Sequence, residues 1–410
     1  MSVRDTTLLL HELGLARQRE WQLIVACSRG RLDTSNRESI RSLLDGSTAG
    51  ALQEQVDGRE LIATASRHRV DPLLHRHLSA WSGDAVPPAA LALLEQAARL
   101  RMRQALMLAG EMIELVDLFE REGVSAIPYK GPALASLIYG NFALRPSEDL
   151  DFVLRQRDIP QAFEVLRSAG YKAELDPEIA RDAQCLERGN IGQYCFYSRS
   201  GQLVELHTEK TLRYFPVPLD WEGLHGRIQT VAISGRSVKT FSLEDLLILL
   251  SVHGAKHFWN RLCWIADIAE IVRTPRGVDW TLSEKLAARM GCRRMWLLGL
   301  SLAKEILEAP LPPAISAQIK SDRTIVALSR RVQMNLPLGN EWAPGAPERL
   351  FFRMRSHENA LDGVRQCFRM ATQPTEQDWR AHEFPEWAWP VYTLLRPWRL
   401  LRNHGLGLRR

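Results

Sequence analysis

The chain lacks the sequence signatures of disulfide-stabilised, zinc-binding and membrane-spanning proteins. Its six cysteines contain no Cys-x-x-Cys pair and are scattered over positions 27, 185, 195, 263, 292 and 367. This spacing disfavours a disulfide framework or a zinc site and favours a reducing compartment. No run reaches the roughly eighteen uncharged apolar residues of a membrane span, and charged side chains interrupt the first thirty residues, unlike a signal peptide. We therefore expect a cytoplasmic protein.

A strong excess of either charge is also missing. The formal net charge is only +5 over 410 residues, which disfavours a large nucleic-acid-binding surface. The positive excess is local, because residues 391–410 hold five arginines and no acid. Residues 390–402 predict a basic, aromatic helix that either lies on an anionic membrane surface or docks onto the protein. Pro397 interrupts this helix and its apolar residues are not confined to one face, so docking is favoured over peripheral membrane contact.

What the sequence does contain is an ordinary globular composition, 45% hydrophobic and 25% charged, with enough residues for two or three domains. Helical periodicity dominates residues 1–123 and 243–410. Residues 124–210 alternate strand and helix signals, and residues 211–242 predict a β-hairpin connector. These segments predict an α+β fold, a small mixed sheet flanked by two helical regions. Six N-terminal arginines are most simply a solvated face, with contact to an acidic ligand as the alternative: Arg67, Arg69, Arg76, Arg99, Arg101 and Arg103.

The middle segment opens with a strand, a glycine turn and a helix. Residues 125–129 predict a short strand, Lys130 and Gly131 form the turn, and residues 132–139 predict a helix with Pro132 in its first turn. The free N–H groups and the dipole of a helix N-terminus favour an anion at such a turn. Further predicted strands span residues 149–154, 171–175, 193–198 and 203–207, and a helix spans 159–168.

Three acids of this segment are candidate metal ligands. Asp149 and Asp151 lie at i and i+2 of a predicted strand, so their carboxylates share one face about 7 Å apart. Alone, such a pair is usually a surface or capping pair, but carboxylates at this spacing also suit divalent ions. Glu205 lies on another predicted strand, where an isolated glutamate is usually solvated. If the two strands are neighbours, the three acids converge.

A longer set of residues resembles a known family. The set comprises Tyr129-Lys130-Gly131-Pro132-Ala133-Leu134, Tyr139, Arg145, Asp149-Leu150-Asp151, Gly170-Tyr171 and Val204-Glu205-Leu206-His207. It is similar to the uncharacterised nucleotidyltransferase family of the polymerase-β-like superfamily. Members of that superfamily carry a Gly-Gly or Gly-Ser turn, an Asp-x-Asp or Asp-x-Glu strand and a third carboxylate on a neighbouring strand. Here Lys130-Gly131-Pro132 replaces the usual second small residue of the turn.

The resemblance implies a two-metal nucleotidyltransferase with a polymerase-β-like core. Asp149, Asp151 and Glu205 would hold two Mg²⁺ ions and carry catalysis. The enzyme would transfer a nucleoside monophosphate from an NTP, with ATP as the first choice, to an acceptor hydroxyl and release pyrophosphate. Lys130 would pair with the triphosphate as a point charge, and Gly131 would let a phosphate approach the backbone closely.

Two further residues of the pattern have alternative interpretations. Arg145 would bind phosphate or brace the loop before Asp149, and a simple loop salt bridge is an equal alternative. His207 would contact phosphate or acceptor, or hydrogen-bond to backbone instead. The acceptor itself is left open among a small hydroxylated metabolite, a peptide, a sugar phosphate and a protein side chain.

A histidine stripe follows the middle segment. His253, His257 and Arg261 are spaced by four and are predicted to share one face of a long helix that begins at Leu243. Gly254 stands where a His-Glu-x-x-His protease has its glutamate, which excludes that class. Either the two histidines pack in the core against tryptophans, or together with Lys256 and Arg261 they line the cleft opposite the carboxylates and meet the phosphate or base of the nucleotide.

Two other functions are alternatives to transfer onto a small acceptor. A catalytically inactive nucleotide-sensing or partner-binding protein could use the same fold, because the glycine turn departs from the superfamily pattern. The presence of all three acid candidates argues against it. An enzyme that adds nucleotides to RNA ends is disfavoured by the mild charge and by the lack of an aromatic and basic motif in the core.

Overall fold

The computed structural model describes residues 14–45, 56–80, 88–174, 192–208, 219–342 and 344–372, with the single residues Val391 and Leu395. It confirms the predicted fold class, a small mixed sheet of five strands flanked by helices. The predicted basic helix over residues 390–402 lies, apart from those two residues, outside the described part of the chain. Among the described helices, none is both long and apolar enough to cross a membrane.

The N-terminal region is helical, as predicted. It comprises α1 (Gly14–Cys27), α2 (Thr34–Asp45), α3 (Gly58–Arg67), α4 (Asp71–Leu78) and the long α5 (Pro88–Arg121). The Asp57 side chain caps α3 by accepting hydrogen bonds from the first backbone N–H groups of that helix. Pro72 lies in the first turn of α4, where backbone N–H groups have no partner within the helix; proline has no N–H group and therefore suits this position.

The five-stranded sheet contains the elements that the sequence predicts. Its strands are β1 (Ile127–Pro128), β2 (Asp149–Val153), β3 (Lys172–Ala173), β4 (Gln193–Tyr197) and β5 (Leu203–His207), in the order β1-β2-β5-β4-β3. β2 and β5 are parallel, and every other pair is antiparallel. Helix α6 (Gly131–Tyr139) follows β1, and α7 (Ile159–Ser168) follows β2.

The remaining elements follow β5. After α8 (Trp221–Gly226), the predicted hairpin forms a separate two-stranded sheet from β6 (Gln229–Ile233) and β7 (Arg236–Thr240). The C-terminal region is helical, and its elements are α9 (Leu243–Lys256), α10 (Leu262–Arg273), α11 (Trp280–Arg289), α12 (Arg293–Leu307), α13 (Pro313–Ser321), α14 (Arg323–Asn335), α15 (Ala346–Ser356) and α16 (Ala360–Thr372).

Two hydrophobic clusters hold these elements together. The smaller one joins one face of the sheet to α5 and α7, through buried side chains such as Phe152, Val204 and Phe119. The larger one joins the N-terminal helices to the C-terminal helices, so that Ile24 of α1 and Leu297 of α12 belong to one core. The division of the chain at residues 123, 210 and 242 remains a prediction.

The predicted single helix from Leu243 through Arg261 is wrong. Helix α9 ends at Lys256, and α10 begins at Leu262. Between them, Phe258 and Trp259 adopt left-handed backbone conformations, with φ of +57° and +54°. The Trp259 ring is fully buried and packs so closely on Gly254 that a Cβ atom there would lie 2.5 Å from the indole. Burial of this large ring accompanies the break, which the spacing of the histidines does not reveal.

Candidate active site

The acids meet because β2 and β5 pair in parallel. The register places Asp151 opposite Glu205, Asp149 opposite Leu203 and Val153 opposite His207. Side chains alternate along a strand, so both aspartates, Glu205 and His207 lie on one face of the sheet. The other face carries buried apolar residues such as Leu150 and Leu206, which pack in the smaller cluster. Alternation thus fixes which face receives the charges.

Lys130 and Gly131 form the turn between β1 and α6. Gly131 has φ of +57°, a left-handed conformation that glycine adopts without steric cost. Lys130 turns back over the sheet, where its Nζ lies 2.9 Å from Asp151 Oδ1 and 4.7 Å from the centre of the Tyr129 ring. Lys130 therefore sits against the acids, while Gly131 contributes backbone alone and is not among the residues that line the pocket described below.

The acids differ in their ionisation. Burial, together with the charge of Asp151, raises the pKa of Asp149 to about 6. Burial also acts to raise the pKa of Asp151, but Lys130 and His207 outweigh it and hold that pKa below its ordinary value. Burial acts to lower the pKa of His207, yet its hydrogen bonds to Asp151 and Glu205 leave the pKa raised. The site therefore holds Asp151 ionised, and Asp149 gains a proton first as the pH falls.

The donor atoms fit a divalent cation. Asp151, Glu205 and His207 each place one ligand atom within 4.8 Å of the others. His207 Nε2 lies 2.8 Å from Asp151 Oδ1 and 3.3 Å from Glu205 Oε2. Asp151 Oδ2 is buried and has no hydrogen-bond partner among the described residues. Mg²⁺ prefers oxygen ligands, so the carboxylates suit it and the His207 imidazole suits a role in orienting Asp151.

A cavity of about 390 Å³ opens above this face of the sheet. It is lined by the sheet residues, by Arg69 of the N-terminal region and by the break between α9 and α10. Its charged lining, histidines aside, comprises three acids and five cations, namely Asp149, Asp151, Glu205, Arg69, Lys130, Arg145, Lys256 and Arg261. Two of these cations also pair with acids outside the lining, Arg145 with Asp267 and Arg69 with Glu148. A group of cations beside a carboxylate cluster suits a polyphosphate accompanied by metal ions.

Arg145 lines this cavity and is held in a buried ion pair. Its Nε lies 2.9 Å from both carboxylate oxygens of Asp267 on α10, and its guanidinium also donates to Ser147 Oγ at 3.0 Å. Ser147 lies two residues before Asp149. Arg145 thereby ties the loop before β2 to the C-terminal helices, which fits the bracing interpretation of this residue.

His253 and His257 combine both interpretations that the sequence leaves open. They line the cavity, and each ring also packs against Trp264, at 5.2 and 5.3 Å between ring centres. Burial lowers the pKa of both, that of His257 to about 3 and that of His253 well below its ordinary value. Both rings are therefore neutral at pH 7. Each can donate one hydrogen bond and accept one from a ligand, but neither brings positive charge to the cavity.

Several cavity residues escape prediction from sequence. The sequence places Arg69 most simply on a solvated face. In the structure its side chain is only 18% exposed and lines the cavity. Gln193, Ser147 and Asn260 also line it. The local sequence carries no signal for these contacts, because they depend on the packing of the N-terminal and C-terminal helices around the sheet.

The chain was compared with protein families, curated proteins and solved structures. A family model described as uncharacterised nucleotidyltransferase matches residues 54–308, which is more than half of the chain and contains every predicted site residue. This confirms the resemblance found in the sequence. No curated protein and no solved structure matches the chain.

Proposed function

The chain belongs to the uncharacterised nucleotidyltransferase family, and from this we propose that it transfers a nucleoside monophosphate from an NTP, with ATP as first choice, to an acceptor hydroxyl. The observation that carries the proposal is the register that sets Asp151 beside Glu205 in a cavity also lined by Lys130. We further propose that the reaction takes place in the cytoplasm.

The carboxylates would supply the metal site. Asp149, Asp151 and Glu205 would hold Mg²⁺, which when bound would neutralise triphosphate charge and lower the pKa of the acceptor hydroxyl. The free Oδ2 atom of Asp151 supports this assignment. His207 would keep Asp151 oriented through its 2.8 Å contact with Oδ1.

The cations of the cavity would bind the nucleotide and the leaving group. Lys130 would balance charge on the triphosphate, and the turn at Gly131 would bring backbone N–H groups of α6 toward phosphate oxygen. The acceptor oxygen would form a bond to the α-phosphorus as the bond from that phosphorus to the bridging oxygen breaks. Pyrophosphate would leave with the electron pair, and the hydroxyl proton would pass to water.

A labelled-nucleotide experiment tests this function. The protein is incubated with Mg²⁺ and each α-labelled NTP in cell extract, and pyrophosphate release and label transfer are followed. We expect transfer with the wild type and a loss of at least about 100-fold in the Asp149→Asn, Asp151→Asn double variant, because both acids serve the metal site. The matched control is Glu95→Gln with Glu164→Gln, two exposed helix acids outside the cavity. Equal activity in the double variant and the wild type would refute the assignment.

Nucleotide binding without transfer is the second candidate. It is favoured by the contacts of Asp151 Oδ1, which both Lys130 and His207 approach within hydrogen-bond distance, so that part of its charge is already balanced by protein. The same experiment, with NTP affinity also measured by calorimetry, separates the two functions. A binding protein would retain Mg²⁺-dependent NTP affinity but release no pyrophosphate from any nucleotide in any extract.

A further inference from the structure

Two arginines that are far apart in the sequence, Arg69 and Arg261, both line the cavity. Arg69 lies in the turn between α3 and α4, and Arg261 lies immediately before α10. Burial, followed by the charge of Arg69, lowers the pKa of the Arg261 guanidinium. Arg69 in turn acts on Asp149, whose pKa it lowers against the larger effect of burial. The two cations line the same cavity as the carboxylates of Asp149, Asp151 and Glu205.

His68 holds the two arginines in place. The backbone N–H of Leu262 donates to His68 Nδ1 and that of Cys263 donates to the His68 carbonyl oxygen, each at 3.2 Å. The first N–H groups of a helix have no partner within the helix, so the His68–Arg69 turn caps the N-terminus of α10. The ring of His68 is fully buried. These contacts hold the backbones of Arg69 and Arg261 near each other, because each arginine is adjacent to a residue that takes part in them.

The guanidinium of Arg261 has spare hydrogen-bonding capacity. Its carbon atom lies 5.5 Å from the centre of the Trp264 ring, and its Nε is buried without a hydrogen-bond partner among the described residues. Arg69 forms an ion pair with Glu148, whose side chain is 62% exposed. Glu148 and Asp149 are the carboxylates near the two guanidinium groups, and Asp149 is itself a proposed metal ligand.

We propose that Arg69 and Arg261 form a subsite for the terminal phosphates of the nucleoside triphosphate, and that His68 is the positioning residue of this subsite. The inference rests on the proposed function, to which it adds the recognition of the triphosphate tail. A guanidinium presents a planar fork of donors that matches two phosphate oxygens. An anion between the two cations would also relieve their mutual repulsion. The subsite would select triphosphates over monophosphates.

Binding measurements on single variants test the subsite. Affinities for ATP, AMP and inorganic tripolyphosphate are measured by calorimetry with Mg²⁺ for the wild type, Arg69→Ala and Arg261→Ala. Loss of one charged hydrogen-bond donor is expected to weaken ATP and tripolyphosphate binding about 10- to 100-fold and to leave AMP binding within about 2-fold. Arg99→Ala is the matched control, because Arg99 is an exposed arginine outside the cavity. Glu148→Gln is expected to strengthen ATP binding, since Arg69 loses its competing carboxylate.

The positioning role of His68 is tested by comparing the variants His68→Asn and His68→Leu. His68→Asn keeps an acceptor near the place of Nδ1, whereas His68→Leu removes it. We expect the ratio of ATP affinity to AMP affinity to fall in His68→Leu and to be restored in His68→Asn. Equal ratios in both variants and the wild type would overturn the positioning role.

Failure of the subsite and failure of the proposed function give different results. If the wild type transfers nucleotides but neither arginine variant changes ATP affinity, or ATP and AMP weaken equally, the subsite is refuted and the function stands. If the wild type neither binds nor transfers nucleotides, yet binds tripolyphosphate through both arginines, the function is refuted and the phosphate subsite stands.

Discussion

Acidification should destabilise the protein through His68. Burial, aided by Arg67, lowers the pKa of His68 from its ordinary value of 6.5 to about 4. Between these values the unfolded chain binds a proton that the folded chain does not, so stability is complete above pH 6.5 and is lost as the pH falls toward 4. At 1.36 kcal/mol per pH unit, the loss between pH 7.5 and pH 4.5 is about 2.5 kcal/mol. Protonation of Nδ1 would also remove the acceptor of the Leu262 N–H.

Urea unfolding of the wild type and His68→Asn from pH 7.5 to pH 4.5 measures this contribution. The variant lacks the titrating ring but keeps an acceptor, so its free energy of unfolding should fall less steeply, by about 2.5 kcal/mol over the range. The titration of His253 and His257 is common to both proteins and cancels in the difference. Parallel curves would refute the reasoning, because they would mean that His68 has the same pKa in the folded and unfolded states.

Three further predictions concern packing, helix propensity and charge. Gly254→Ala should destabilise the protein by about 1 to 3 kcal/mol, because the new methyl group would overlap the buried Trp259 ring. Gly110→Ala, in an exposed helix position with no atom near the new Cβ, should stabilise by about 0.5 to 1 kcal/mol; thermal unfolding checks both. Arg145→Gln should cost about 3 to 5 kcal/mol in urea unfolding, since it leaves the buried Asp267 carboxylate without its cation. A change below about 1 kcal/mol would contradict that account.

The strands of the sheet can be predicted from the sequence because the patterns that indicate them are local. Alternating apolar residues predict β2, β4 and β5 to within one residue of their ends, and the glycine turn after β1 predicts the start of α6. The same alternation predicts that Asp149 and Asp151 share a face. What it cannot supply is the pairing partner: that Glu205 lies opposite Asp151 follows from a parallel register that no short segment encodes.

The rest of the cavity depends on contacts between distant segments. Arg69 and Arg261 are brought together by hydrogen bonds from the start of α10 to His68, and neither segment alone signals the other. The break after α9 follows from the burial of Trp259 against glycines, a tertiary effect that overrides the four-residue spacing of the histidines. Local periodicity predicts elements, whereas large buried side chains decide how they are interrupted.

The larger hydrophobic cluster has a consequence for synthesis on the ribosome. Ile24 of α1 is buried in the same core as Leu297 of α12, so the first described helix emerges long before its partner exists. Until α12 is made, the apolar face of α1 remains without its final partners and has to be kept from aggregating. Contacts between α1 and α12 also form slowly, because bringing together residues so far apart in sequence costs chain entropy. Completion of the cavity is therefore expected late in folding, after the C-terminal helices have been released.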